Sequence, residues 1–191
     1  MVKTRAGHDY PGTMKTYAAL LRGVNVGKNK LAMVDFRTVL AELGAGNVRT
    51  YLQSGNAVFS HPTPEPAELA RAIEEGLAGL GVTSRVLLRT GQQLAAVLAE
   101  NPFLARESDP VKLHVTFLAE RPAPDRVPRL QVPAGETATF HLTGTEVYLH
   151  CPDGYGRTKL SNSFIESRLG IAATTRNWRT VTALAELTGT D

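Results

Sequence analysis

The apolar positions of the chain repeat with either a strand period or a helix period, and the two periods alternate along the first half. Residues 16–22 are an apolar run typical of a buried strand. The tripeptide Ser54-Gly55-Asn56 joins two β-prone runs and favours a tight hairpin. The elements predicted there are a strand at 16–22, a helix at 33–43, strands at 48–53 and 57–60, a helix ending at Gly81 and a strand at 84–89. This β-α-β-β-α-β order predicts a ferredoxin-like half over residues 15–90.

The second half repeats this order loosely. Thr90 and Gln93 have the spacing of a capping box at the start of a helix. The predicted elements are a helix after Thr90, a strand at 112–118, a short proline-bounded helix at 124–130, a hairpin at 137–150, a helix ending at Gly170 and a helix starting at Trp178. Because this pattern shows no fourth strand, residues 91–191 are predicted as an incomplete ferredoxin-like half with C-terminal helices. We therefore expect an α+β protein of two such halves, with a boundary near residues 90–110.

Length and composition restrict the class of protein and its cellular compartment. A chain of 191 residues suits one domain or two small ones. Residues 1–14 lack the apolar centre of a signal peptide, so we predict either a disordered N-terminal extension or an overlong start there, with Met14 as the functional start. No apolar run approaches the roughly 20 residues of a membrane span. Cys151 is the only cysteine, which excludes an internal disulfide and a thiolate metal cluster. We expect a cytoplasmic protein with no metal, no cofactor and no membrane partner.

The net charge of +3 is distributed unevenly along the chain. Residues 15–49 contain six basic and two acidic residues, and residues 157–179 contain five basic and one acidic residue. The intervening residues 50–156 contain eight basic and twelve acidic residues. The two basic tracts also carry the glycine, asparagine and threonine clusters of the chain. This coincidence predicts one electropositive cleft that both tracts line.

The first basic tract contains the glycine-rich segment 23–30, which follows a strand and precedes a helix. Glycines let backbone N–H groups approach an anion, and Lys28 adds a positive charge. The segment fails the Walker A pattern, because three residues separate its glycines and Asn29 follows the lysine. In a ferredoxin-like sheet the loop after strand one and the hairpin before strand three lie at the same sheet end. Asn25 is therefore expected to converge with Ser54 and Asn56, and Arg22 lies nearby.

The second basic tract places cations just before two predicted helices. Arg157 and Lys159 precede the first of these helices. Asn177 is a favourable N-cap for the last helix, with Arg176 and Arg179 on either side of the helix start. A helix N-terminus flanked by arginines favours phosphate binding, and we expect Arg176 to project into solvent. The predicted ligand-binding residues are Arg22, Asn25, Lys28, Ser54, Asn56, Arg157, Lys159, Arg176, Asn177 and Arg179.

These motifs resemble a known family. The segments LLRGVNVGKNKLAM at 20–33, VRTYLQSGNAVF at 48–59, GRTKLSN at 156–162 and ATTRNWRTV at 173–181 are similar to the bacterial domain-of-unknown-function family 1697 (DUF1697). The resemblance extends from Met14 over the rest of the chain. It implies an α+β fold of ferredoxin-like halves and supplies no activity.

Three functions are compatible with the sequence. The first is a module that binds a phosphorylated or anionic ligand, either a nucleotide or a nucleic-acid segment. The second is an enzyme acting on a phosphorylated small molecule, for which Asp35, Asp153 and Glu166 are equally eligible as the acid. Its anion clamps would be Arg22, Lys28, Arg157, Lys159, Arg176 and Arg179. The third is a protein-interaction domain whose motifs are structural turns and caps.

Overall fold

The computed structural model describes residues 13–63 and 65–189. The predicted disordered extension at 1–14 lies outside the described residues, apart from Thr13 and Met14, which precede the first strand. Within these two ranges, none of the helices has the length and apolar character required to cross a bilayer.

The first half forms an antiparallel sheet with two helices. Its elements are β1 (Lys15–Leu21), α1 (Met33–Glu42), β2 (Gly46–Tyr51), β3 (Asn56–His61), α2 (Pro66–Gly79) and β4 (Val86–Thr90). The strand order is β2-β3-β1-β4, and each neighbouring pair is antiparallel. As predicted, the hairpin strands β2 and β3 are neighbours, and β1 lies beside β3 in the middle of the sheet. The loop after β1 and the turn before β3 therefore meet at one end of the sheet.

The second half forms another antiparallel sheet. Its elements are α3 (Gly91–Ala99), β5 (Leu113–Leu118), β6 (Thr139–Thr143), β7 (Glu146–His150), α4 (Asn162–Leu169), β8 (Ala173–Asn177) and α5 (Trp178–Thr188). The strand order is β6-β7-β5-β8. The predicted capping box is present at the start of α3, where the Thr90 hydroxyl accepts from Gln93 N–H and the Gln93 side chain accepts from Thr90 N–H.

The prediction that the second half lacks a fourth strand is wrong. β8 pairs with β5 and completes a four-stranded sheet. Its sequence, ATTRN, contains no large apolar side chain, so hydrophobic periodicity gives no strand signal. Thr174 and Arg176 are nevertheless buried, because hydrogen bonds to distant residues satisfy their polar atoms.

The helix predicted at 124–130 is reduced to a single 3-10 turn at Val127–Arg129. Proline residues explain the difference. Pro128 lies inside the turn and has no N–H to donate, and Pro122 and Pro124 restrict the backbone that leads into it. The connection between β5 and β6 is therefore mostly irregular.

Among the described residues, three apolar clusters make up the core. The first lies between one face of the first sheet and the helices α1 and α2, and includes Phe36 and Ile73. The third lies against α4 in the second half and includes Ile165. The middle cluster is shared, because Leu20 of β1 and Val115 of β5 belong to it together with residues of α3 and α5. Helix α5 contacts β1 and β3 of the first sheet and β5 and β8 of the second.

Candidate functional site

Asn25 organises the glycine-rich loop after β1. Its backbone has a positive φ of 56°, a conformation that asparagine tolerates better than most residues. Its side-chain amide donates to the carbonyl oxygens of Leu31 at 3.0 Å and Gln53 at 2.6 Å, and its Oδ1 accepts from Leu31 N–H. Asn25 therefore ties the loop to the β2–β3 turn.

Asn29 fixes the other side of the same loop. Its side-chain amide donates to the carbonyl oxygens of Gly23 and Thr83, each at 2.8 Å. Lys28 lies between these two anchored asparagines and is exposed, with no hydrogen-bond partner among the described residues. The two asparagines thus fix the loop, which presents the ammonium groups of Lys28 and Lys30 to solvent.

Arg176 is buried, which contradicts the prediction that it projects into solvent. Only 7% of the residue is exposed, and its guanidinium makes hydrogen bonds of 2.6–3.5 Å to neutral acceptors. No carboxylate among the described residues pairs with it. Burial lowers the pKa of Arg176 to about 10. The acceptors are the carbonyl oxygens of Leu21, Ser54, Gly55 and Thr175, the Thr174 hydroxyl and the Asn56 amide oxygen.

The structure brings Asn25, Ser54, Asn56 and Arg176 together, as predicted, but as a closed cluster. Asn56 is fully buried, donates to the carbonyl oxygen of Tyr51 and the hydroxyl of Ser54, and accepts from Arg176 Nε at 2.6 Å. The polar groups of this junction are therefore engaged with one another. Ligand binding by these four residues stays a prediction.

Asn177 and Arg179 lie beyond the junction, at the start of α5. Asn177 is the N-cap of this helix, and its Oδ1 accepts from Thr180 N–H at 2.8 Å. Arg179 is exposed, and its side chain makes no hydrogen bond to any described residue. The predicted cap is confirmed, and Arg179 presents a free cation next to it.

Arg22 makes an ion pair with Glu166 that joins the two halves. Arg22 Nε and Nη2 lie 2.5 and 2.6 Å from the two carboxylate oxygens, and Glu166 Oε1 also accepts from Ala173 N–H. Burial alone would raise the pKa of Glu166, but these hydrogen bonds outweigh it and lower the pKa. The Arg22 charge is thus neutralised within the protein.

Arg157 and Lys159 line a separate cavity of about 230 Å³ in the second half. Arg157 is exposed, and its guanidinium has no hydrogen-bond partner in the described part of the chain. Lys159 Nζ donates to the carbonyl oxygen of Ala134 at 2.9 Å. The lining residues are Gly135, Glu136, Thr137, Ala138, Cys151, Asp153, Gly154, Arg157, Thr158 and Lys159.

Two carboxylates share this cavity. Glu136 accepts from the backbone N–H groups of Ala138 and Lys159, which lower the pKa of Glu136 and keep it ionised. Asp153 accepts from the Thr137 hydroxyl at 2.7 Å. Burial raises the pKa of the Cys151 thiol to about 12, so this side chain is an unreactive part of the wall.

A polar network holds the segment that carries Arg157. Tyr155 stacks on His114 with ring centroids 4.7 Å apart, and its hydroxyl accepts from Asn162 N–H at 3.0 Å. Asn162 in turn donates to the carbonyl oxygen of Ala173 and accepts from the Thr175 hydroxyl. Burial lowers the pKa of His114 to about 4, so its ring is neutral at physiological pH. Tyr155, two residues before Arg157, is therefore fixed in position by the stacking contact and the hydrogen bond.

The family follows from the sequence match. A family model described as "Protein of unknown function (DUF1697)" matches residues 14–148. The chain belongs to this family. The match includes the motifs at 20–33 and 48–59, whereas the motifs at 156–162 and 173–181 of this DUF1697 chain lie beyond it. No curated protein matches the sequence.

A solved structure shares the fold. The conserved bacterial protein SP0830 from Streptococcus pneumoniae has a TM-score of 0.72 and 24% sequence identity to this DUF1697 chain. The alignment covers 92% of this chain and 99% of that one. At this identity the likeness concerns the fold alone.

Sequence reasoning missed Glu136 and Thr137 as parts of a site and could not distinguish Asp153. These residues lie in the loop before β6 and the loop after β7, whose approach is a product of the fold. Glu136 reaches the backbone of Lys159, 23 residues further along the chain, so no local spacing reveals the contact. In this DUF1697 chain the nearby sequence signals are turn residues, the Pro133-Ala134-Gly135 segment before Glu136 and Gly154 after Asp153.

Proposed function

We propose that this protein binds a small phosphorylated or anionic molecule in the cavity lined by Arg157 and Lys159. The observation that carries this proposal is Arg157, which lines the cavity and whose guanidinium has no partner among the described residues. Arginine without a carboxylate partner is suited to bidentate contact with a phosphate or carboxylate group. Lys159 and Thr158 line the same cavity, and the Thr158 hydroxyl accepts from Leu160 N–H.

The size and lining of the cavity favour a small molecule over a nucleic-acid segment. Its volume of about 230 Å³ lies below the range of about 300–1,000 Å³ typical of drug-sized ligands. A polyanion needs an extended positive stripe, whereas Glu136 and Asp153 would repel successive phosphates here. Steep weakening of binding between low and moderate salt would instead identify a nucleic acid as the ligand.

The other predicted ligand residues divide into two groups in this proposal. Asn25, Asn56 and Arg176 hold the loop after β1, the β2–β3 turn and β8 together, and their polar groups are engaged. Lys28 and Arg179 are free cations outside the cavity and are secondary candidates for contact with an anion.

The proposal can be tested by calorimetry of the full chain with inorganic phosphate, glycerol 3-phosphate and adenosine monophosphate. We expect at least one of them to bind, and Arg157→Gln to weaken that binding about tenfold or more, because a charge-assisted hydrogen bond contributes about 1.5–3 kcal/mol. Arg121→Gln is the matched control, since Arg121 is exposed and lies outside the cavity lining. Equal binding by both variants would contradict the proposed site, and no binding in any arm would favour a protein-interaction domain.

We also propose that each half is a ferredoxin-like unit. The order β-α-β-β-α-β with strands arranged β2-β3-β1-β4 supports this architecture for the first half. The second sheet has the same arrangement, with β5, β6, β7 and β8 in the four corresponding positions. An irregular connection that contains the 3-10 turn at Val127–Arg129 stands where the first half has α1.

A further inference from the structure

The two carboxylates of the cavity differ in what they offer a ligand. Both oxygens of Glu136 accept backbone N–H groups. Asp153 is exposed, and only its Oδ2 has a donor, the Thr137 hydroxyl. In the part of the chain that the structure describes, no donor is hydrogen-bonded to Asp153 Oδ1. The cavity therefore combines a free cation, Arg157, with one free anionic acceptor.

The Arg157 guanidinium needs an anionic group on the ligand, whereas Asp153 Oδ1 needs a hydrogen-bond donor. A phosphate group is attracted by Arg157 and repelled by Asp153. A ligand hydroxyl is a good donor to a carboxylate oxygen, and a hydrogen bond to a charged group is stronger than one between neutral groups. A bare phosphate satisfies only the cation, whereas a phosphate attached to a hydroxylated carbon chain satisfies both groups.

We propose that the ligand is a phosphorylated polyol or small sugar, with its phosphate at Arg157 and Lys159 and a hydroxyl group donating to Asp153 Oδ1. This inference rests on the proposed phosphate site and adds the chemical class of its ligand. The small volume of the cavity, about 230 Å³, restricts the ligand to a short carbon chain. Asp153 is then a specificity-determining residue, because it selects against anions that lack a hydroxyl group.

The first test compares three probes on the wild-type full chain by isothermal titration calorimetry. Glycerol 3-phosphate carries two hydroxyl groups, propyl phosphate carries none, and inorganic phosphate is the bare anion. We expect glycerol 3-phosphate to bind at least about tenfold more tightly than propyl phosphate, because the latter leaves Asp153 without its donor. Equal affinity for these two compounds would overturn the polyol inference and leave the phosphate site intact. Failure of all three to bind would overturn the polyol inference, and failure of adenosine monophosphate as well would overturn the phosphate site.

The second test uses Asp153→Asn, an isosteric change that can keep an oxygen for the Thr137 hydroxyl and replaces the free acceptor by a donor. We expect the preference for glycerol 3-phosphate over propyl phosphate to fall to near unity, while inorganic phosphate binds as well as before or more tightly. Asp125→Asn removes the same charge from an exposed aspartate outside the lining, and it should retain the wild-type preference. An unchanged preference in a folded Asp153→Asn protein would refute the role of Asp153.

Discussion

Arg176 carries a positive charge into the interior without a carboxylate to neutralise it. Desolvation disfavours such a charge, as the lowered pKa near 10 indicates. The planar guanidinium offsets this cost because it directs five N–H donors at acceptors from three parts of the chain. Leu21 ends β1, Asn56 begins β3 and Thr174 lies on β8 itself. One side chain thus satisfies polar groups that would otherwise be buried without partners.

We predict that Arg176→Ala lowers the free energy of unfolding by on the order of 3 kcal/mol. The variant removes the buried charge but leaves the amide oxygen of Asn56 without a donor and the carbonyl oxygen of Leu21 with the Thr174 hydroxyl as its remaining side-chain donor. Arg179→Ala is the control, because Arg179 is exposed and unpaired in the described residues, and it should leave the urea midpoint unchanged. Similar midpoints for the two variants would show that the Arg176 hydrogen bonds contribute no net stability.

His114 should make the stability depend on pH in acidic solution. Its folded pKa of about 4 lies below its ordinary value of 6.5, so the unfolded chain binds the proton more readily. Stability from this residue is complete above pH 6.5 and decreases as the pH falls from 6.5 towards 4. We expect His114→Phe, which keeps an aromatic ring against Tyr155, to lack this component in urea titrations at successive pH values. Identical pH profiles, or an NMR titration midpoint near 6.5, would contradict the prediction.

At the residue scale, the sequence identifies roles that depend on near neighbours. Asn177 is predicted and observed as an N-cap because its partner, Thr180, is three residues away. The role of Arg176 is mispredicted because its acceptor at Asn56 is 120 residues distant. The glycine and asparagine motifs correctly mark the loop after β1 and the β2–β3 turn as segments that meet. The hydrogen bonds between these two segments could not be predicted, because only the folded chain brings their residues together.

At the scale of elements, the β2–β3 turn packs closely against the end of β1. Gly55 has a φ of +79°, and a Cβ atom there would lie 2.4 Å from Val24 Cγ2 and 2.8 Å from Leu21 Cβ. The position therefore excludes a side chain for two reasons, backbone strain and overlap. Gly27 in the loop after β1 also has a positive φ, of +58°, but has open space around it.

We predict that Gly55→Ala costs clearly more stability than Gly27→Ala. The Gly27 variant should lose roughly 1–2 kcal/mol from the left-handed backbone alone. The Gly55 variant should lose about 1–3 kcal/mol more, because the well-packed turn has to move away from β1. Chemical denaturation of both variants measures the difference. Equal losses would indicate that the turn shifts freely and that its contact with β1 is loose.

The elements that the sequence reveals are those with an apolar face. The predicted order of strands and helices in the first half agrees with the structure because β1 and β3 are continuous buried runs, and α1 and α2 each bury a periodic apolar stripe. β8 escapes detection because its buried positions are threonine and arginine. The predicted boundary near 90–110 stays a prediction, since the middle cluster contains side chains from both sides of it.

At the scale of the whole molecule, the shared middle cluster makes the two halves depend on each other. Ala18, Leu20, Val58 and Leu87 of the first sheet are buried in it beside residues of the second half. We predict that a fragment of residues 13–90 lacks a cooperative unfolding transition and exposes this apolar face to dyes such as ANS. The full chain, under the same conditions, should unfold in one transition. A fragment with sharp NMR dispersion and cooperative melting would show that the first half is an independent domain.

The position of Arg176 in the chain has a consequence for protein synthesis. Arg176 donates to the carbonyl oxygen of Leu21, and 155 residues separate the two along the chain. Translation proceeds from the N-terminus, so the first sheet leaves the ribosome long before β8 and α5 exist. Until they arrive, the inner face of that sheet lacks the part of its cover that α5 supplies, and the β2–β3 turn has no guanidinium to anchor it. The nascent chain therefore passes through a prolonged stage in which an apolar sheet face is open to chaperones and to other nascent chains.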